Sequence, residues 1–220
     1  MAPVVFLVLC LIIPLPVYAQ SGTIQGSAIE IYNIGRDMEG QGRNQEANAY
    51  YNEAIRICND EISRNTANRD TYTALTWALQ RQRNYRDVIV WGERGLRLFS
   101  DEYRIMQTMG EAYFYLDDYV NSLRFMQRYV NSQPRGDRVS VAYFFIGEIY
   151  RLEGKYRLAD MAYSTAVRLQ PGIALWWYRL GQSREYSQEA VPAADAYERA
   201  LRLSPDYQAA SDGLARVRRQ

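Results

Sequence analysis

The chain has no histidine. That removes the commonest general base and the commonest zinc ligand. It has two cysteines, Cys10 and Cys58, too far apart to read as a metal motif. There is no phosphate-binding glycine loop and no GxSxG nucleophile elbow. Carboxylate pairs occur at Asp101–Glu102 and Asp117–Asp118, both in expected turns, where solvated acids are ordinary. No catalytic site, metal or cofactor is expected. Lys155 is the only lysine, and 26 basic residues against 25 acidic ones leave a formal charge of +1. A nucleic-acid footprint needs a clustered basic face, which this balance argues against. The alternation of apolar and polar residues that marks strands is also missing; apolar spacings of three and four dominate and predict helices.

What the chain does have is a period. Gly147 and Gly181 stand 34 residues apart, as do Ala159 and Ala193, Tyr163 and Tyr197, Ala166 and Ala200, and Pro171 and Pro205. Five columns on one period mark a solenoid of repeated supersecondary units. One block reads Tyr143-x-x-Ile146-Gly147-x-x-Tyr150, then Ala159-x-x-x-Tyr163-x-x-Ala166, then Pro171. The next reads Trp177-x-x-Leu180-Gly181, then Ala193-x-x-x-Tyr197-x-x-Ala200, then Pro205, with Arg184 at the place of aromatic Tyr150.

These blocks resemble the tetratricopeptide repeat. Earlier copies follow with lower fidelity. Ile31, Ile34, Gly35 and Met38 lead to Ala47, Tyr51 and Ala54; Met106, Met109, Gly110 and Tyr113 lead to Ser122, Met126 and Pro134. Between them lies the weakest copy, Tyr72, Leu75, Thr76 and Leu79 followed by Val88, with Gly92 and Gly95 replacing an aromatic residue and an alanine. Five repeats are expected, at 28–61, 69–102, 103–136, 140–173 and 174–207, with insertions at Ile62–Asn68 and around Arg135–Arg138. The resemblance implies an all-α, right-handed α-solenoid of two antiparallel helices per repeat. Small column residues are expected where two backbones approach, and Pro171 past a helix end that it cannot continue. Pro192 falls near a helix start, where proline is tolerated. Gln208–Gln220 reads as a terminal helix closing the apolar end, with Ala209, Ala210, Leu214 and Val217 inward. A basic tail of Arg216, Arg218 and Arg219 is the rival reading.

The first residues are of another kind. Residues 2–19 carry no charge, and Val17-Tyr18-Ala19 suits signal-peptidase cleavage after Ala19, leaving 20–27 as a polar lead. No Lys or Arg lies near Met1, a departure from the usual signal. An uncleaved membrane anchor and a lipoprotein acylated at Cys10 remain open. Cys58 would then be the one cysteine of the mature chain, buried and inert or bridged to another chain.

In the family, the first helix of each repeat lines the inner face of the superhelix, and its non-core positions contact the partner. By alignment these are Tyr32, Arg36, Trp77, Arg81, Glu111, Phe114, Phe144, Glu148, Arg151, Tyr178 and Gln182, with Thr73, Gln80, Gln107 and Glu185 beside them. Tyr32, Trp77, Phe114, Phe144 and Tyr178 would form an aromatic ladder, interleaved with charge of both signs. Aromatic and arginine side chains dominate interface energetics. The expected fold role of these rings, and of Glu148 and Gln182, is small. Positions that clamp a carboxylate in some relatives hold Tyr32, Asn33, Arg36, Thr73, Trp77 and Arg104 here, so that clamp is not expected. The resemblance implies a non-enzymatic protein-interaction scaffold that holds a peptide or helix of a protein partner, and residues 1–19 add the expectation that it is exported to the periplasm or secreted. An assembly or docking factor for a membrane or transport complex, and a self-associating structural protein, are the alternatives.

Overall fold

A computed structural model of the protein describes residues 26–219. The proposed leader at 1–19, with Cys10, lies outside the described residues, as does most of the polar lead. Within them the chain forms eleven α-helices and no strand: α1 (Ala28–Gly40), α2 (Asn44–Ser63), α3 (Arg69–Arg81), α4 (Tyr85–Leu98), α5 (Tyr103–Tyr115), α6 (Tyr119–Ser132), α7 (Val139–Leu152), α8 (Tyr156–Leu169), α9 (Ala174–Tyr186), α10 (Ala190–Leu203) and α11 (Gln208–Val217). None of them is long and apolar enough to cross a membrane. Each even-numbered helix packs against the odd-numbered helices before and after it. The odd helices also touch in succession, α1 with α3, α3 with α5, α5 with α7, and α9 with α11. The result is an all-α solenoid with the odd helices along one side.

The repeat columns are packing columns. Ala47, Val88, Ser122, Ala159 and Ala193 occupy one register position and all are buried. The glycine column works differently from the expected backbone-to-backbone approach. A Cβ on Gly147 would lie 2.6 Å from the Tyr163 ring, one on Gly181 2.7 Å from Tyr197, and one on Gly35 2.7 Å from Tyr51. The missing side chain makes room for the ring of the repeat's second helix. At Gly110 that space is taken by Met126. In the weak second repeat Gly92 leaves it to Met109 of the next repeat, whose Sδ would stand 2.6 Å from an added Cβ. Apolar volume is conserved while its source changes, which cores tolerate.

Each turn between the helices of a repeat carries one left-handed residue at the same register: Gly42, Arg83, Asp117, Gly154 and Gln188, with φ of 78°, 59°, 60°, 71° and 63°. Proline falls where expected, with Pro134, Pro171 and Pro205 just beyond α6, α8 and α10, and Pro192 in the first turn of α10. Arg184, in its aromatic column, ion-pairs with Asp160 at 2.9 Å and donates to the Pro192 carbonyl. It links α9 to α8 and α10 with polar contacts.

Both insertions have a physical reading. At the position that holds Ala166 and Ala200 in later repeats, the third carries Tyr129, buried with its hydroxyl accepting from the Arg138 amide at 3.2 Å. Residues 133–138 wrap over that ring. The first insertion lengthens a helix: α2 runs on to Ser63, so only 64–68 form a loop. At the far end, Ala210, Leu214 and Val217 are buried, while Ala209 is half-buried. Arg216 pairs with Glu185 at 2.7 Å and Arg218 with Glu198 at 2.8 Å, which makes the tail a cap in which two of the three arginines are engaged.

Candidate functional site

The expected contact residues all lie on odd-numbered helices. They do not form one exposed ladder. Tyr32 is buried, 5.7 Å ring to ring from Tyr51 and 5.2 Å from Trp77. Phe114 meets Phe145 edge-on at 5.0 Å. Phe144 stacks on Trp176 at 5.2 Å and leans on Tyr163 at 5.8 Å. Tyr178 lies 6.0 Å from Tyr197 and 5.0 Å from Tyr207. The rings thus make three clusters, at the first junction, through repeats three to five, and under α11. Trp77, Phe114, Phe144 and Tyr178 remain half-exposed. The expectation of a small fold role is corrected: each ring joins neighbouring repeats as well as offering an edge to solvent.

The acids need a stronger correction. Glu111 and Glu148 were expected to project into the groove, yet both are buried. Glu148 accepts from the Tyr163 hydroxyl and meets Arg151 and Arg179, each at 3.0 Å. Glu111 receives Gln107, Gln80 and Arg138, the last at 2.7 Å. Two further acids complete a pattern, Glu39 outside the expected set and Glu185 among the positions beside it. Glu39 accepts from Tyr51 at 2.7 Å and pairs with Arg81 at 3.5 Å. Glu185 accepts from Tyr197 at 2.5 Å and takes two bonds from Arg216, at 2.7 and 2.9 Å. In three repeats, therefore, a carboxylate holds the ring hydroxyl of its own second helix and a guanidinium of the unit that follows.

Burial, with the adjacent carboxylate, pushes the hydroxyls of Tyr51, Tyr163 and Tyr197 far above the ordinary phenol range. The hydrogen bonds from Arg216 hold Glu185 below the usual carboxylate value. Arg104 is tied to Glu102 at 2.7 Å and Asp70 at 2.8 Å, while its guanidinium lies 5.9 Å over the Trp77 ring. The Thr73 hydroxyl is buried with no hydrogen-bond partner among the described residues.

Exposed cations and amides complete the face. Arg36 is exposed, with Asp37 at 3.8 Å, and Arg81 is exposed beside Glu39. Arg151 and Gln182 are half-exposed, Gln182 accepting from Arg179 and donating to Tyr178, both at 2.8 Å. Arg151 and Arg179 share one carboxylate, so that stretch carries surplus positive charge. The odd helices thus present aromatic edges beside cations, an arrangement suited to holding apolar side chains and carboxylates of a bound chain. Sequence reasoning missed Glu39, Arg138, Arg179 and Arg216. A signal existed for two of the pairs, because Glu39 and Glu185 each stand twelve residues before their tyrosine.

Residues 140–173 match the family model described as "Tetratricopeptide repeat", the span of α7 and α8. No curated protein sequence matches the chain. Among solved structures, a MamA protein superposes with a TM-score of 0.63 at 20% identity, covering 82% of this chain and 94% of that one. MamA from Desulfovibrio magneticus RS-1 gives 0.61 at 18% identity, covering 83% and 98%. YrrB, titled a TPR protein with an unusual peptide-binding site, gives 0.56 at 18% identity, covering 84% and 91%. By sequence the chain matches the tetratricopeptide repeat at 140–173, and by fold the described residues resemble the solenoids of solved tetratricopeptide-repeat proteins.

Proposed function

We propose that the protein is a non-enzymatic scaffold whose odd-helix face holds an extended peptide or a helix of a protein partner. The observation that carries this reading is the set of half-exposed rings Trp77, Phe114, Phe144 and Tyr178 on consecutive odd helices, with Arg81 and Arg151 on two of the same helices and Arg36 on α1 before them. Rings anchored at the back and open in front lose little freedom on binding, which favours affinity. The solenoid fold itself is an interaction architecture. The peptide-binding site named for YrrB shows that a similar fold binds peptides in that protein. Buried Glu111 and Glu148 position this face instead of contacting a ligand. The uncharged apolar residues 2–19 and the Val17-Tyr18-Ala19 sequence support export and a place in the cell envelope. An assembly or docking role for a membrane complex is the second reading, favoured only if that partner is membrane-embedded.

The test is site-specific photo-cross-linking in the native envelope. A benzophenone side chain at Gln182 or Arg36 should capture one partner, while the same group at Val191, 75% exposed on α10, should not. Capture from Val191 alone would move the binding face to the even helices. Amino-terminal sequencing of the purified cellular protein should begin at or near Gln20, and a start at Met1 or Ala2 would refute cleavage.

A further inference from the structure

We propose that the cleft at the first junction between repeats is a second binding site, distinct from the odd-helix face, for an acidic peptide segment of a protein partner that carries apolar side chains. The cleft arises from a length mismatch. Helix α2 has 20 residues, whereas α4, α6, α8 and α10 each have 14. The six extra residues carry its end roughly 9 Å further than a standard second helix reaches. The overhang and the loop at 64–68 stand against the last turns of α4 and leave an open cleft of about 720 Å³.

Its lining has two chemistries. Ile62 and Ala67 form one wall, Leu98 the other, and buried Tyr72 the floor. Leu98 is 61% exposed, a large apolar side chain with its surface unspent. Arg94 and Arg97 from α4 stand beside it, with Asn65 opposite as the remaining polar group. No acid lines the cleft. Neighbouring arginines are all engaged: Arg64 with Asp60, Arg69 with Asp101, Arg104 with Glu102 and Asp70. Among the described residues Arg94 and Arg97 make no ion pair, and Arg94 only lies 5.3 Å over the Trp91 ring. Two unpaired guanidiniums next to an apolar wall complement a carboxylate adjacent to an apolar side chain. The cleft is open along one side, which suits a chain that enters and leaves it. Gly95 contributes geometry: an added Cβ there would lie 2.8 Å from Ile105 and 3.0 Å from Tyr72, so glycine lets α4 sit close on the cleft floor.

The experiment uses the mature full chain and three probes: a fluorescein-labelled octapeptide of alternating leucine and glutamate, its counterpart with lysine in place of glutamate, and octanoate. The acidic peptide should bind, and the lysine peptide should not. Arg94→Ala combined with Arg97→Ala should weaken binding by about tenfold or more. Ala67→Trp should do the same by filling the cleft. Arg36→Ala and Gln182→Ala, on the odd-helix face, should change nothing, so failure here is separable from failure of the scaffold reading. The arginine variants alter only exposed side chains and keep the test valid should Ala67→Trp misfold. Unchanged affinity in the arginine variant, equal binding of the lysine peptide, or absence of binding at millimolar probe would overturn the proposal. Displacement by octanoate at similar concentration would also overturn it, by making the occupant a small anionic amphiphile.

Discussion

Replacing Glu148 by alanine tests the carboxylate pattern directly. The Glu148 side chain is 9% exposed and takes the hydroxyl of fully buried Tyr163 together with two guanidiniums at 3.0 Å. Removing it leaves a buried phenol hydroxyl with no acceptor, which costs about 1–3 kcal/mol. Arg151 and Arg179 keep 22% and 26% of their side-chain surface, so solvent screens them once freed. Each lost pair then adds only about 0.2–1 kcal/mol. The sum is about 1.5–5 kcal/mol, or a fall in melting temperature of roughly 3–20 °C for a chain of this length. The assay is thermal and urea unfolding at neutral pH, with Gln182→Ala as a control expected within about 0.5 kcal/mol of the parent. Tyr163→Phe completes a double-mutant cycle, in which the combined loss should fall short of the sum by about 1 kcal/mol or more. If Glu148→Ala unfolds with the Gln182→Ala control, the carboxylate is a surface group and the pattern plays no part in joining repeats.

Gly181→Ala should destabilise by about 1–3 kcal/mol, because its Cβ would stand 2.7 Å from the Tyr197 ring, whereas Gly40→Ala meets nothing within 4 Å and should hold or raise stability in the same urea series. Acid should weaken the C-terminal end. Arg216 holds Glu185 below its ordinary value near 4.5, so that stabilisation is complete above that pH and is lost as pH falls through the lower folded value. Melting temperatures between pH 5 and pH 3 should therefore drop less steeply in Glu185→Gln than in the parent, and parallel curves would refute the assignment. Cys58 is fully buried, donates to the Thr71 carbonyl at 3.2 Å, and has its thiol pushed up to about 12 by burial. It should resist a thiol reagent in the native protein and react at once in urea, and fast labelling of the native protein would place it at the surface.

The repeat fold was legible because a period adds weak signals at fixed register: Gly147, Tyr163 and Ala166 mean little singly and a great deal with Gly181, Tyr197 and Ala200 beside them. The left-handed turn column stayed hidden because only Gly42 and Gly154 carry the residue that announces it; Arg83, Asp117 and Gln188 adopt the same φ because the helices on both sides fix it. The odd-helix face was half legible. Alignment placed the expected contact residues on odd-numbered helices. It could not tell a half-exposed ring such as Phe144 from a buried acid such as Glu148, since burial there depends on side chains up to 31 residues away, as in the Arg216–Glu185 pair. Those partners drift in register from repeat to repeat. Arg81 and Arg179 sit at unlike positions of their helices, so no column betrays them.

The direction of the carboxylate pairs gives the solenoid a polarity in how it comes apart. Arg81 serves Glu39, Arg138 serves Glu111, Arg179 serves Glu148 and Arg216 serves Glu185, and in every case the cation comes from further along the chain. Among the guanidiniums of these pairs, detaching the first repeat strands that of Arg81, which is exposed and which water accepts readily. Detaching α11 leaves Glu185 without its cation and uncovers the Tyr197 ring that Gly213 now admits. Peeling from the tail therefore deprives each preceding unit of a counter-ion in turn, while peeling from the head does not. A partner or protease that lifted α11 would loosen the odd-helix face from repeat five backwards.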